Sequence, residues 1–229
     1  MDMAATFEED GIEIVSAVLT AGECDALIQT ISAFITPGGR KSAGVRNLLR
    51  YCPQVAELVS SEKIAGLARS RLKRDVFPVR VLLFDKTEAA NWSVPWHQDL
   101  LIAVAERIET PGFGPWSVKA GVIHVQPPLE ILESMVTVRV YLDDCDEDNG
   151  ALRISPGSHA HGILSDAEAR RCKEKSAVVC KVGKGGALLM RPLSLHASSP
   201  ATRPKHRRVI HIEYASGDLP AGLRWFERP

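Results

Sequence analysis

The chain predicts an α+β, mainly β fold: a double-sheet jelly roll with N-terminal helices packed on one sheet. Three observations carry this. Helical periodicity is confined to the first third of the chain. From Val76 the pattern changes to short strands divided by turns, and no internal repeat or low-complexity tract interrupts it.

Thr20 followed by Glu23 forms a capping-box pattern that opens the first long helix. Leu27, Ile28, Ile31 and Phe34 then recur at helical spacing, and Pro37-Gly38-Gly39 is expected to end it. Residues 53–60 and 62–73 predict two more helices, so 1–75 is expected to form a helical layer over a 76–229 jelly-roll core. Strands are expected at 79–84, 92–99, 137–142, 152–155, 178–182, 187–190 and 209–214. Asp148-Asn149-Gly150 is a tight-turn signal. The acidic run around it (Asp143, Asp144, Asp146, Glu147, Asp148) lacks the spacing of a calcium loop and reads as a solvated hairpin tip. The stretch from Leu100 to Leu132 stands apart, poor in regular periodicity. Within it, residues 103–128 are expected to form a lid or substrate wall, with Phe113 and Trp116 supplying apolar cover and Gly112 and Gly114 supplying backbone freedom.

At 229 residues and 45% hydrophobic, the chain is long enough for one substantial core and reads as a single domain. A formal net charge of zero offers no basic excess for nucleic acid. No apolar run approaches the roughly 20 residues of a membrane span. The acidic start without an apolar signal core predicts a cytoplasmic protein. The five cysteines are scattered, with no Cys-x-x-Cys, and are expected to be free thiols of a reducing compartment.

The most informative stretch is Trp96-His97-Gln98-Asp99. On a strand, residues two apart share a face, so His97 and Asp99 could reach one metal. With His196 far downstream they would form a 2-His-1-carboxylate set, which suits Fe(II) and leaves coordination positions open. A His-x-Asp triplet alone arises often by chance. The basic pair Arg207-Arg208, opening an apolar strand after His196, adds weight.

In their order and spacing these segments resemble the phytanoyl-CoA dioxygenase family of Fe(II)/2-oxoglutarate-dependent oxygenases. The resemblance runs through Gly11-Ile12-Glu13-Ile14-Val15, Phe84-Asp85-Lys86, Trp96-His97-Gln98-Asp99 and Leu142-Asp143-Asp144. It continues in Asn149-Gly150-Ala151-Leu152, Ser155-Pro156-Gly157-Ser158-His159, His196-Ala197-Ser198 and Arg207-Arg208-Val209-Ile210-His211. It implies a double-stranded β-helix (cupin-like) jelly roll that uses Fe(II), 2-oxoglutarate and O2 to hydroxylate a small organic molecule, with release of succinate and CO2. It also implies His97, Asp99 and His196 as metal and catalytic residues. Arg207, eleven residues after His196, would pair with the distal carboxylate of 2-oxoglutarate, with Ser198 as a hydroxyl contact. Arg208 is the alternative if the strand register slips by one. Arg139 departs from the pattern, standing where founding members carry a tryptophan of the co-substrate pocket. In residues 136–142 an apolar set alternates with Thr137, Arg139 and Tyr141, so Arg139 faces either solvent or the site, where it would meet the co-substrate or an anionic substrate group.

Candidate substrate contacts are Trp116, Gln126 and His124 in the insert, and Arg46 reaching the pocket mouth from the helical layer. The other histidines read as structural (His159, His211) or solvated (His161, His206). Asp99 argues against a halogenase, which would lack the carboxylate. The rivals are a zinc or manganese isomerase or hydrolase on the same barrel, and a non-catalytic metal-binding sensor module. Neither needs Arg207 and Ser198. The partner expected is a small-molecule substrate, with no nucleic acid or membrane; the oligomeric state is left open.

Overall fold

The computed structural model describes residues 6–32, 44–174 and 177–228. Phe34 and Pro37-Gly38-Gly39, expected to finish the first long helix, lie outside the described residues. The chain enters through α1 (Phe7–Asp10) and β1 (Ile12–Val15). Next comes α2 (Ala21–Ser32), whose capping box is formed reciprocally: Glu23 N donates to Thr20 Oγ1 at 3.2 Å, and Thr20 N donates to Glu23 Oε2 at 2.7 Å. A short β2 (Val45–Arg46) precedes α3 (Leu48–Tyr51), α4 (Pro53–Ser60) and α5 (Glu62–Leu72). The last ends one residue earlier than expected because Lys73 turns left-handed (φ 52°) and caps it.

The β region runs through β3 (Phe77–Lys86), β4 (Val94–His97), β5 (Ile102–Val104), β6 (Trp116–Lys119) and β7 (Val122–Val125). After α6 (Leu129–Glu133) come β8 (Met135–Tyr141) and β9 (Leu152–Ile154), then α7 (Asp166–Glu174). The chain completes β10 (Val178–Cys180), β11 (Ala187–Met190), β12 (His196–Ser198) and β13 (Arg207–Ala215). The major sheet has six strands in the order β1-β11-β8-β13-β3-β2, and the minor sheet four in the order β10-β9-β12-β4. This is the double-sheet jelly roll with helices on one face that the sequence predicts.

Period-2 alternation sorts the major sheet's side chains into two layers. Val136, Val138 and Val140 of β8 and Ile210, Ile212 and Tyr214 of β13 pack against Leu27, Ile31, Val55, Val59 and Ile64 of the helices. Each fully buried aliphatic there contributes about 1.5–3 kcal/mol of transfer free energy. The opposite face carries Thr137, Arg139 and Tyr141 of β8 and Arg207, His211 and Glu213 of β13, all buried. That face turns toward the minor sheet, so the polar half of the alternation marks the interior of the roll rather than solvent.

Two expectations need correction. Strand β4 stops at His97, so Asp99 lies just beyond the strand, its N–H bonded to the Pro192 carbonyl at 2.9 Å. The insert is regular: β5, β7 and β6 form a third antiparallel sheet. Ile102, Val104, Phe113 and Val125 anchor it in a core shared with Leu132, Leu193 and Trp225. The three strands are only three or four residues long, too short to show a period. Phe113 serves this core and does not line the central cavity.

Candidate active site

His97 and His196 sit directly opposite each other on paired strands β4 and β12. The pairing slips by one residue immediately afterwards, because Ser198 pairs with Val94. Such a bulge twists a strand and re-aims its side chains. The imidazoles lie 4.2 Å apart between centroids. Each Nδ1 is 2.9 Å from the carbonyl two residues earlier, Pro95 for His97 and Ser194 for His196. Those bonds place the proton on Nδ1 and leave both Nε2 lone pairs facing inward. Asp99 completes the set, Oδ1 at 3.5 Å from His97 Nε2 and Oδ2 at 3.7 Å from His196 Nε2.

The three ligand atoms fall within 4.8 Å of one another, a donor set that could hold a metal ion. Asp99 Oδ2 is buried without a hydrogen-bond partner, the open valence a cation would fill. Burial opposes ionisation of Asp99, but the adjacent His196 and His97 imidazoles outweigh it and keep the carboxyl well below its usual range. Burial pushes His196 down to about 4, so this ring is neutral at pH 7. His97 is also penalised by burial, yet Asp99 raises it on balance. Protons therefore compete with a metal first at His97.

Gln98 points the other way and fixes the ligand loop. Its Nε2 donates to the Gly162 and Leu193 carbonyls at 2.8 and 2.7 Å, and its Oε1 accepts from Leu164 N at 2.9 Å. Gln98→Leu strands these buried backbone groups, so stability should fall by about 3 kcal/mol. Urea denaturation checks this; a loss under about 0.5 kcal/mol would show that the loop holds without the amide.

The three ligands open onto a cavity between the two sheets, with Leu82, Phe84, Trp92, Val94 and Leu152 as its apolar wall. Ser198 and Arg207 also line it. Arg207 Nη1 donates to the Gly150 carbonyl at 2.7 Å, while its Nε is buried and unpartnered. Arg208 faces away and grips Asp143 through Nε and Nη2 at 2.8 and 2.7 Å. Arg207 rather than Arg208 thus lies on the cavity face of β13.

Lys86 was missed at the sequence level. It pairs with Arg207 across β3 and β13, fully buried, and donates to the Ser199 carbonyl at 2.5 Å, with Ser198 Oγ at 3.4 Å. Like charges facing across strands repel. Burial and Arg207 together push the Lys86 ammonium down to about 8. Arg207 is likewise lowered, by burial above all. This end of the cavity thus concentrates positive charge with no carboxylate in contact among the described residues, which fits the distal carboxylate of a dicarboxylic co-substrate. Arg80 and Glu213, also missed, line the opposite end together with His211, which is hydrogen-bonded as expected of a structural histidine. Extending the period-2 pattern through Leu82 and Phe84 would have found Arg80 and Lys86.

Arg139 lines the cavity at 5% exposure, which removes the solvated alternative. Of the other candidate substrate residues, none lines it. His124 is buried in β7 with Nδ1 on the Val122 carbonyl at 2.9 Å. Trp116 stacks with Arg107, and Gln126 follows β7 with backbone bonds to Gly114 and Pro115. Arg46 comes from edge strand β2 rather than the helical layer, exposed and paired with Leu82. All five cysteines are free thiols. No helix among the described residues is long and apolar enough to cross a membrane.

Comparison with known proteins places this geometry. Residues 7–209 match the family model described as phytanoyl-CoA dioxygenase. Among curated proteins, L-proline trans-4-hydroxylase of Streptomyces griseoviridis is 31% identical over 123 residues, a match spanning 53% of this chain but only 37% of that protein. Among solved structures, AviO1 from Streptomyces viridochromogenes Tue57 superposes with a TM-score of 0.66 at 24% identity, over 94% of this chain and 92% of that one. EctD from S. alaskensis, solved with 2-oxoglutarate and 5-hydroxyectoine, gives 0.71 at 18% identity, over 93% and 74%. At these identities the structural likeness is one of fold.

Proposed function

The chain belongs to the phytanoyl-CoA dioxygenase family, and from that premise we propose that it is an Fe(II)- and 2-oxoglutarate-dependent dioxygenase hydroxylating a small organic molecule. The observation that carries this is one cavity with His97, Asp99 and His196 on its wall and an unneutralised Arg207 beside Ser198. When bound, iron and 2-oxoglutarate supply the oxidising power from O2, the co-substrate leaving as succinate and CO2. The three ligands would hold the metal by one face. Arg207 would take the distal carboxylate with its planar fork, Ser198 adding a hydroxyl and Lys86 reinforcing the charge from behind. Leu82, Phe84, Trp92 and Leu152 would exclude water from the reacting centre. A zinc hydrolase or isomerase would leave the buried Arg207 without an anion, and so would a sensor module.

We further read the chain as one cytoplasmic domain, the free thiols fitting a reducing compartment that also keeps iron ferrous. Arg46, opposite the cavity-lining Leu82, is kept as a mouth contact. Trp116, His124 and Gln126 act on substrate only by shaping the 103–128 wall.

The test is anaerobic addition of 2-oxoglutarate to Fe(II)-loaded protein, then air and a small-molecule library. A visible charge-transfer absorption and oxygen-dependent succinate are expected, and absence of both would refute the assignment. A lid role for 103–128 predicts slower amide exchange at the β6–β7 hairpin, where Ala120 and Gly121 take positive φ, once metal, co-substrate and substrate are bound. Equal exchange in both states would make the insert a fixed wall.

A further inference from the structure

Among the described residues, no carboxylate contacts Arg139. Its Nη1 donates to His211 Nδ1 at 2.8 Å, its guanidinium lies 5.5 Å from the Phe84 ring centroid, and its Nε is buried without a partner. Accepting that bond leaves His211 neutral with its proton on Nε2, which faces Glu213 Oε1 at 3.3 Å. Glu213 in turn accepts from Arg80 Nη1 at 3.1 Å. Glu213 thus balances Arg80, while a buried cation held from two sides keeps donors free at the cavity. Isolating a charge this way is unfavourable unless an anion completes it.

The proposed co-substrate leaves that place open. One of its carboxylates would sit at the metal and the other at Arg207 and Ser198. Arg139 lies level with His211, four residues along β13 from Arg207, roughly 13 Å of strand. Arg139 lines the same cavity as His97, Asp99 and His196.

Resting on the oxygenase reading above, we propose that Arg139 is a substrate-binding residue and that the molecule oxidised carries a carboxylate, gripped by Arg139 beside the metal. The uncharged part of that molecule packs on Phe84, Trp92 and Leu152, which orients one of its C–H bonds toward the three ligands.

The probe is cyclopentanecarboxylate against its neutral isostere cyclopentanecarboxamide, titrated calorimetrically into anaerobic protein saturated with Fe(II) and 2-oxoglutarate. Wild type should bind the acid at least tenfold more tightly than the amide. Arg139→Met should erase that preference while 2-oxoglutarate affinity changes less than threefold, and Arg139→Lys, which keeps the charge, should retain part of it. Equal or undetectable binding of acid and amide by wild type overturns the proposal. So does a tenfold or greater loss of 2-oxoglutarate affinity in Arg139→Met, which would assign Arg139 to the co-substrate instead. Wild type that binds no 2-oxoglutarate at all refutes the oxygenase reading itself.

Discussion

Fe(II) affinity should fall by more than about 100-fold in His196→Ala, because losing even an outer partner of a metal ligand costs about 10–100-fold. His196 is the most buried of the three candidate ligands and is neutral at pH 7, so it binds without releasing a proton. Its strand partner is His97, and the Ser194 carbonyl fixes its ring, so no other side chain among the described residues can replace its Nε2. Anaerobic calorimetry with Fe(II), and with Ni(II) as an oxygen-stable check, measures the loss. Circular dichroism should show an unchanged fold, since metal contacts form no part of the apolar cores. Wild-type affinity in this variant would dissolve the triad.

The second large effect concerns the co-substrate. Arg207→Ala should weaken 2-oxoglutarate binding by about 2–5 kcal/mol, the cost of leaving a buried carboxylate unpaired. Arg208→Ala, two strand faces distinguished by one residue, should change it little, because Arg208 is committed to Asp143 on the other side. A 2-oxo acid lacking the distal carboxylate, 2-oxovalerate, separates the clamp from general damage: its affinity should be the same in wild type and Arg207→Ala. If 2-oxovalerate loses as much as 2-oxoglutarate, Arg207 holds the cavity's shape and not a carboxylate.

Local signals were read wherever a side chain's consequence stays within a few residues. The capping box at Thr20 and Glu23, the helices at 53–60 and 62–72, and the alternation of β8 and β13 all depend on near neighbours, and all appear in the fold. The strands of the insert were not read, because three or four residues carry too little periodicity and their pairing is made by partners elsewhere. For the same reason Asp99 was placed on a strand that ends at His97: the break comes from the distant Pro192 carbonyl.

By itself, then, the sequence determined the fold class, the order of its helices and principal strands, and the chemical types in the His97, Asp99, His196 and Arg207 set. Those follow from periodicity, spacing and the donor character of each residue. Only the tertiary structure decided which face of each strand is the inside, and with it the meaning of every buried charge. Thr137-Arg139-Tyr141 alternates identically whether that face meets water or a second sheet. Lys86 and Arg80 look like ordinary surface cations until β3 lies beside β13. Whether a charge is solvated or waiting for an anion is fixed by what covers it, and that cover comes from residues more than a hundred positions away.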